Sequence, residues 1–503
     1  MAETKREIER KYESDDSGLP DLTRVGGVAN VLDKGVVELD ATYHDTADER
    51  LARSSITLRR RTGGSDAGWH LKFPVSTGVR DEIQAPLSDT LPEELAALVR
   101  SRVRDAELIP VVRLRSARDL RHLVDADGTL LAEVSVDAVR AERLTEGGGT
   151  AQWTEIEVEL ADGVETTLLD KIEKRLRKAG VRPSDSPSKL ARALAETAPA
   201  KKKARRGPKK PKAPVTAGDH VLAYVRAQRD AIVELDPAVR QDVEDSVHRM
   251  RVATRRMRST FRSFRKVLDR TVTDRLGVEL KWLAAELGLD RDREVLTEHL
   301  TAALDEVPAE LVSGPVHERL QLWASASHGG ARSRLIGVLD SRRYLTLLDD
   351  LDAVVATPPL LEAAAGKPEK VIAKAVRNDF AKVSDLVEQG MEVPPGHDRD
   401  LALHDARKKA KRTRYAAETA TPALGDPAAA LTRSMKSLQS LLGDHQDSVM
   451  ARQTLRELSA VAHAAGESAF TYGLLYGREE RRAAAVEEEL PGVWREIKGG
   501  APV

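Results

Sequence analysis

Over residues 30–160, apolar and polar side chains alternate in short runs broken by Gly, Asp and Pro. VVELDATYHDT, SITLRRRTG, GWHLKFP, RDEIQAPL, LRHLVDADGTLLAEVSVDAV and WTEIEVEL each predict strand, because successive side chains of a strand face opposite ways. REIERKYE, near the start, reads the same way. PEELAALVRSRV and TTLLDKIEKRLRKAG carry helical spacing instead, and Gly180 is a natural stop for the second. From residue 219 onward apolar positions recur at three and four, Ala, Leu, Arg and Glu dominate, and the prediction is helix almost throughout. The pattern therefore predicts an α+β domain over residues 1–196 and an all-α domain over residues 219–500.

The segment between them, 197–218, contains KKKARRGPKKPKAP, in which eight of fourteen residues are basic and none is acidic. Nothing in it can pack, so it is expected to be a flexible, self-repelling linker that also attracts polyanions. Over the whole chain 80 basic and 81 acidic residues nearly cancel. There is no cysteine, which excludes disulfides, thiolate metal sites and cysteine nucleophiles and fits a reducing cytoplasm. No apolar run approaches the roughly 20 residues of a membrane helix, and MAETKREIERKY has no secretory core, so no membrane partner is expected. Aromatic residues make up only 3%, too few for base-stacking platforms, so nucleic acid is an unlikely ligand.

Sorting the strands by parity separates an apolar from a charged face. Ile156, Val158 and Leu160 oppose Glu155, Glu157 and Glu159; Val134 and Val136 oppose Glu133 and Asp137; Trp69, Leu71 and Phe73 oppose His70 and Lys72. Arg59 shares a face with Arg61, and Arg80 with Glu82. Acids gather on the first and late strands, bases on the middle ones. A sheet with one wet side explains each strand separately. If the sheet closed with its charges inward, the lumen would suit a polyphosphate with divalent cations, since carboxylates hold Mg²⁺ or Mn²⁺ while Arg and Lys hold phosphate oxygens.

At these residues the chain resembles the CYTH domain of the triphosphate tunnel metalloenzymes. EIERK resembles the E-x-E-x-K signature at Glu7, Glu9 and Lys11, and TYHDTADERLARSSITLRRR its Tyr-x-Asp-Thr and Leu-Arg-x-Arg segments, giving Tyr43, Asp45, Arg59 and Arg61. Lys72, Asp137, Glu155, Glu157 and Lys189 stand at its other tunnel positions, and Arg118, with Arg115 second, at its strand arginine. The resemblance implies an eight-stranded antiparallel β tunnel with flanking helices that hydrolyses a triphosphate. Glu7, Glu9, Asp137, Glu155 and Glu157 would hold Mg²⁺ or Mn²⁺. Lys11, Arg59, Arg61, Lys72, Arg118 and Lys189 would bind the triphosphate, with Glu7, Glu9 and Lys11 counted as catalytic. Adenylate-cyclase chemistry on ATP, or a catalytically silent scaffold, are the alternatives.

In the helical half, HRMRVATRRMRSTF places His248, Arg251, Arg255 and Arg258 at the same offsets as His404, Arg407, Lys411 and Arg414 in HDARKKAKRTRYAA. Each set forms a stripe about 80° wide on its helix, and Arg262 extends the first. Met250, Met257 and Phe264, and Ala406, Ala410 and Ala417, lie on the opposite sides. Like charges at i,i+4 destabilise a helix, and no acid at that spacing is expected to neutralise either stripe. A second echo, G-x-x-[R/Q]-D, occurs at Gly288, Arg291 and Asp292 and at Gly443, Gln446 and Asp447. The duplication resembles a CHAD domain, which implies two pseudo-repeated helical bundles (about 219–350 and 370–500) binding inorganic polyphosphate through both stripes. The expected location is cytoplasmic, within reach of polyphosphate granules.

Overall fold

The computed structural model describes residues 3–14, 18–199, 213–288, 291–325 and 328–500. Most of the basic run 201–214 lies outside them, so the linker remains a proposal from sequence. The chain divides into two compact units, 1–210 and 211–503.

In the first unit, β1 (Glu3–Ser14), β2 (Asn30–Asp45), β3 (Thr57–Thr62), β4 (Gly68–Ser76), β5 (Val79–Pro86), β6 (Ile109–Val124), β7 (Leu130–Arg143) and β8 (Thr150–Leu160) form one antiparallel sheet. Its order is β5-β4-β3-β2-β6-β7-β8-β1, and β1 also pairs with β5, which closes the ring. β1 closes it by dividing its length: Glu3–Ile8 pair with β5 and Glu9–Ser14 with β8. A ninth, two-residue strand, β9 (Arg182–Pro183), lies against Tyr12 and Glu13.

Four helices, α1 (Arg50–Arg53), α2 (Glu93–Val103), α3 (Thr167–Lys178) and α4 (Lys189–Glu196), accompany the ring. The last three explain why its charges point inward. Leu168, Ile172 and Leu176 of α3 pack on Tyr12, Ile156 and Val158. Leu95, Leu98 and Val99 of α2 pack on Leu58, Leu71 and Ile83. Leu190, Ala193 and Leu194 of α4 pack with Val112 and Trp153. Each fully buried Leu or Ile contributes about 1.5–3 kcal/mol, so the apolar faces are held outward under helices and the charged faces are left to the lumen. Gly180, at φ 89°, terminates α3 in the left-handed conformation that glycine adopts without strain.

The second unit is helical: α5 (Ala217–Arg240), α6 (Ser246–Ser263), α7 (Arg270–Glu286), α8 (Arg291–Asp305), α9 (Val316–Ser325), α10 (His328–Asp340), α11 (Arg342–Ala356), α12 (Pro368–Glu392), α13 (His397–Leu424), α14 (Asp426–Ala464) and α15 (Phe470–Gly499). A reciprocal capping box starts α5: Thr216 Oγ1 accepts from the Asp219 amide, and Asp219 Oδ2 accepts from the Thr216 amide. The two stripes lie on α6 and α13, which pack on each other. Met250, Met257, Ala406, Ala410 and Ala417 are fully buried in one shared core. The small alanines let α13 approach its neighbours closely. α8 and α9 build a second core with α14 and α15. Among the described residues no helix is long and apolar enough to cross a membrane.

Candidate active site

Lys5, Glu7, Glu9 and Lys11 of β1 line the lumen, a cavity of about 350 Å³. The intervening Arg10 instead pairs with Asp170 and Glu173 of α3, at 2.6 and 2.9 Å. Arg59, Arg61, Lys72, Arg118, Glu157 and Lys189 line the same cavity. Asp137 and Glu155 are buried beside them, both in contact with Lys189.

The acids fall into three groups. In the first, Lys189 Nζ stands 2.9 Å from Asp137, 2.7 Å from Glu155 and 2.6 Å from Glu157. Arg118 makes a forked pair with Asp137 (2.8 and 2.7 Å) and reaches Glu157 at 2.9 Å; Lys11 also donates to Glu157. In the second, Lys72 Nζ is 2.5 Å from Glu7 and 3.3 Å from Glu82. His70 Nδ1 faces Glu82 at 2.8 Å, and Arg59 lies 3.9 Å away. In the third, Glu9 lies 3.2 Å from Lys11 and 3.9 Å from Arg80.

These surroundings set the protonation states. Burial pushes Glu7 up to about 7, with Lys72 opposing and Glu82 reinforcing the shift. Burial disfavours charge on Glu157 as well, but Lys11, Lys189 and Arg118 hold it well below the usual carboxylate range. Lys189 stays cationic against its own burial because Asp137, Glu157 and Glu155 surround it. Burial, then Arg59 and Arg118, push Arg61 downward, and Arg61 pairs with Asp66 at the lumen wall.

The residues present fit a divalent ion. Asp137, Glu155 and Glu157 each offer a carboxylate oxygen, all within 4.8 Å of one another, an all-oxygen set suited to a hard cation. Glu7 and Glu9 share the lumen but each sits beside a lysine, outside this cluster.

On the helical unit, burial first, then Arg407, Arg255 and Arg251, push Lys411 down to about 7, so both stripes contribute to one cationic field. Arg258 is lowered by burial and by Arg262. His248 is exposed, and His404 is half-buried and lowered first by its burial. One expectation fails: Glu418, four residues after Arg414, pairs with it at 3.4 Å and also holds Arg256 at 3.1 Å. Glu418 belongs to the packed side, where Tyr224 Oη donates to it at 2.9 Å, and Arg414 at the stripe's edge bends to reach it. The repeated glycine also has a geometric reason. A Cβ built on Gly288 would stand 2.8 Å from Arg251 Cζ and Nη2, and one on Gly443 would stand 3.4 Å from Arg407 Nη2. In each repeat the glycine leaves room for the stripe's leading arginine. The side chains of Arg291 and Asp292 lie outside the described ones.

The family model for the CYTH domain matches residues 5–194, and that for the CHAD domain matches residues 223–456. The chain is a CYTH–CHAD protein. It is 38% identical to Uncharacterized protein Rv2226 of Mycobacterium tuberculosis (strain ATCC 25618 / H37Rv) over 507 residues, spanning 98% of this chain and 96% of that one. Among solved structures it is similar to PptA from Streptomyces chartreusis (21% identity, TM-score 0.48, 56% of this chain and all of that one). It is also similar to the CHAD domain from the plant Ricinus communis (23% identity, TM-score 0.43, 58% and 96%).

Within the CYTH tunnel, Arg118 lines the lumen, whereas Arg115 is exposed and lies 3.5 Å from Asp40. No bulge separates them, so parity alone divides them. Asp45 is not a lumen residue: its carboxylate accepts from the amides of Thr46, Leu51 and Ala52 and pins the turn into α1. The sequence reading passed over Glu82 and Arg80 as site residues. Glu82 is one of the most buried acids of the lumen, and Arg80 donates to the carbonyls of Ser55 and Pro187, tying β5 to the segments beside it. Their signal was present in the shared parity of 80 and 82.

Proposed function

We propose that the CYTH tunnel hydrolyses inorganic triphosphate with a divalent cation, and that the CHAD stripes bind inorganic polyphosphate. The observation that carries the first reading is the lumen's composition: eight bases and seven acids line one cavity inside the closed ring of strands. With charges so nearly balanced, a bare triphosphate would leave a large negative excess, which a divalent ion at the carboxylates partly offsets.

Asp137, Glu155 and Glu157 are the residues that would hold the ion. When bound, the ion supplies charge neutralisation at the phosphoryl oxygens and activation of water. Lys11, Arg59, Arg61, Lys72 and Arg118 cradle the phosphate chain, with the arginine forks orienting it. Lys189 holds charge on the leaving phosphate. Glu7, whose pKa lies near neutrality, is the carboxylate best matched to take the proton of the attacking water. Among the described residues Tyr43 is the only aromatic ring lining the lumen, which favours an inorganic triphosphate over a nucleotide whose base needs a stacking surface.

A screen of tripolyphosphate, ATP and thiamine triphosphate with Mg²⁺ and Mn²⁺ tests this. Fastest phosphate release from tripolyphosphate is expected; cyclic AMP from ATP would replace the hydrolase reading with cyclase chemistry.

A further inference from the structure

A second basic cavity lies away from the paired arginines of the stripes. It measures about 270 Å³, just under the roughly 300–1,000 Å³ of pockets that hold drug-sized ligands, and it sits between the end of α6 and the faces of α12 and α13. Seven bases and one acid line it. On α12, Lys370, Lys374, Asn378 and Lys382 follow one another at four-residue steps and all four are exposed. Lys370 and Lys374 are like charges at that spacing, which weakens a helix, so the pair is a cost to α12. Arg262 in the last turn of α6, and Arg265 and Lys266 just beyond it, face this row.

The one acid does not neutralise this wall. Asp379, almost fully buried, accepts from Ser263 Oγ, lies 2.5 Å from Lys409 and 3.2 Å from Arg412, and so is consumed in fixing Arg412 at the rim. Arg412 also donates to the Arg262 carbonyl at 2.8 Å, which ties α13 to the end of α6. Burial lowers Arg412 despite Asp379, with Arg262 and Arg265 adding to the effect. Among the described residues the other six bases make no ion pair within 4 Å.

We propose that this cavity is a discrete anion site for a compact diphosphate-type ligand, at the far end of the first stripe and apart from Arg251, Arg255, Arg407 and Lys411. Its volume of about 270 Å³ accommodates a diphosphate. Its mixture of arginine forks and lysine point charges matches phosphoryl oxygens. Arg262, the last residue of the first stripe, lines the cavity, whereas Arg251, Arg255, Arg407 and Lys411 do not.

The test is lysine acylation of the full chain, read peptide by peptide by mass spectrometry, with sodium pyrophosphate titrated in EDTA so that the tunnel does not turn the probe over. Lys266, Lys370, Lys374 and Lys382 are expected to lose reactivity severalfold along one saturable curve, while the exposed Lys281 and Lys436 do not. In a Lys370→Glu, Lys374→Glu variant, both positions being on the surface, Lys266 and Lys382 should stay reactive. Equal protection by ADP assigns the diphosphate group from either source, and protection by pyrophosphate alone excludes the nucleotide. No protection by pyrophosphate, or equal slowing of Lys281 and Lys436, overturns the proposal.

Discussion

Lys189 Nζ lies 2.6 Å from Glu157 Oε1, and the same ammonium is within 2.9 Å of Asp137 and Glu155. The first residue of α4 thus places a cation where three buried carboxylates meet, with Ser188 capping the helix through the Ala191 amide. Removing it leaves their charge uncompensated. Lys189→Ala is expected to cost about 3–5 kcal/mol in chelator, the range for breaking a buried pair. Mn²⁺ should restore more melting temperature to the variant than to the wild type. An unchanged melting temperature in EDTA would mean that Lys189 does not hold the cluster.

The three-carboxylate cluster and the Glu7–Lys72 pair should separate kinetically. Glu157→Gln is expected to raise the metal concentration for half-maximal activity by at least the roughly 10–100-fold that losing an outer-shell partner costs. Glu7→Gln should leave that midpoint nearly in place, lower turnover, and remove a limb of the pH–rate profile near 7. Equal shifts in metal requirement for both variants would place Glu7 among the ion's ligands after all.

Much of this was legible in the sequence because strand parity and helix spacing report directly on facing. Parity set Glu155 and Glu157 against Ile156 and Val158, and Arg118 against Arg115. What parity could not show is which acid meets which base. Glu82 shared the charged face with Arg80, yet its ties to His70 and Lys72 exist only once β4 and β5 pair. The five expected acids divide: Glu7 meets Lys72 of β4 and Glu9 meets Lys11 on its own strand, apart from the cluster of Asp137, Glu155 and Glu157. Asp45 was legible only as part of the Tyr-x-Asp-Thr segment, because the turn into α1 that it pins leaves no periodic trace. The Lys370, Lys374, Lys382 row was readable at i,i+4 but escaped a search keyed to the repeated histidine and arginine offsets.

The two glycines predict an asymmetry. Gly288→Ala places a Cβ within 2.8 Å of the Arg251 guanidinium, which must move, so polyphosphate binding should weaken severalfold. Gly443→Ala meets Arg407 only at ordinary contact distance, and mid-helix it should add about 0.5–1 kcal/mol of stability with binding near wild type. Calorimetric titration with long-chain polyphosphate checks both; equal losses would disconnect the glycines from the stripe arginines.

Lys411 gives the polyphosphate reading a proton signature. Its folded pKa of about 7 lies below the ordinary 10.5, so between those values the unfolded chain binds more protons and this residue's contribution to stability rises with pH; below 7 both states are charged and the slope vanishes. A bound polyanion restores the charge. Binding at pH 8 should therefore take up protons, seen as a dependence of binding heat on buffer ionisation enthalpy, and should weaken from pH 7 to 9. Lys411→Met should abolish most of that dependence. Proton release on binding would contradict the assignment.

The central claim is tested most directly by phosphate release from tripolyphosphate by the full chain, with Mn²⁺ and then with excess EDTA, for the wild type and for Asp137→Asn. The account predicts turnover by the wild type with Mn²⁺, none in EDTA, and a loss of orders of magnitude in Asp137→Asn at saturating substrate. Undiminished release in EDTA, or wild-type turnover by Asp137→Asn at limiting Mn²⁺, would contradict a metal-dependent tunnel.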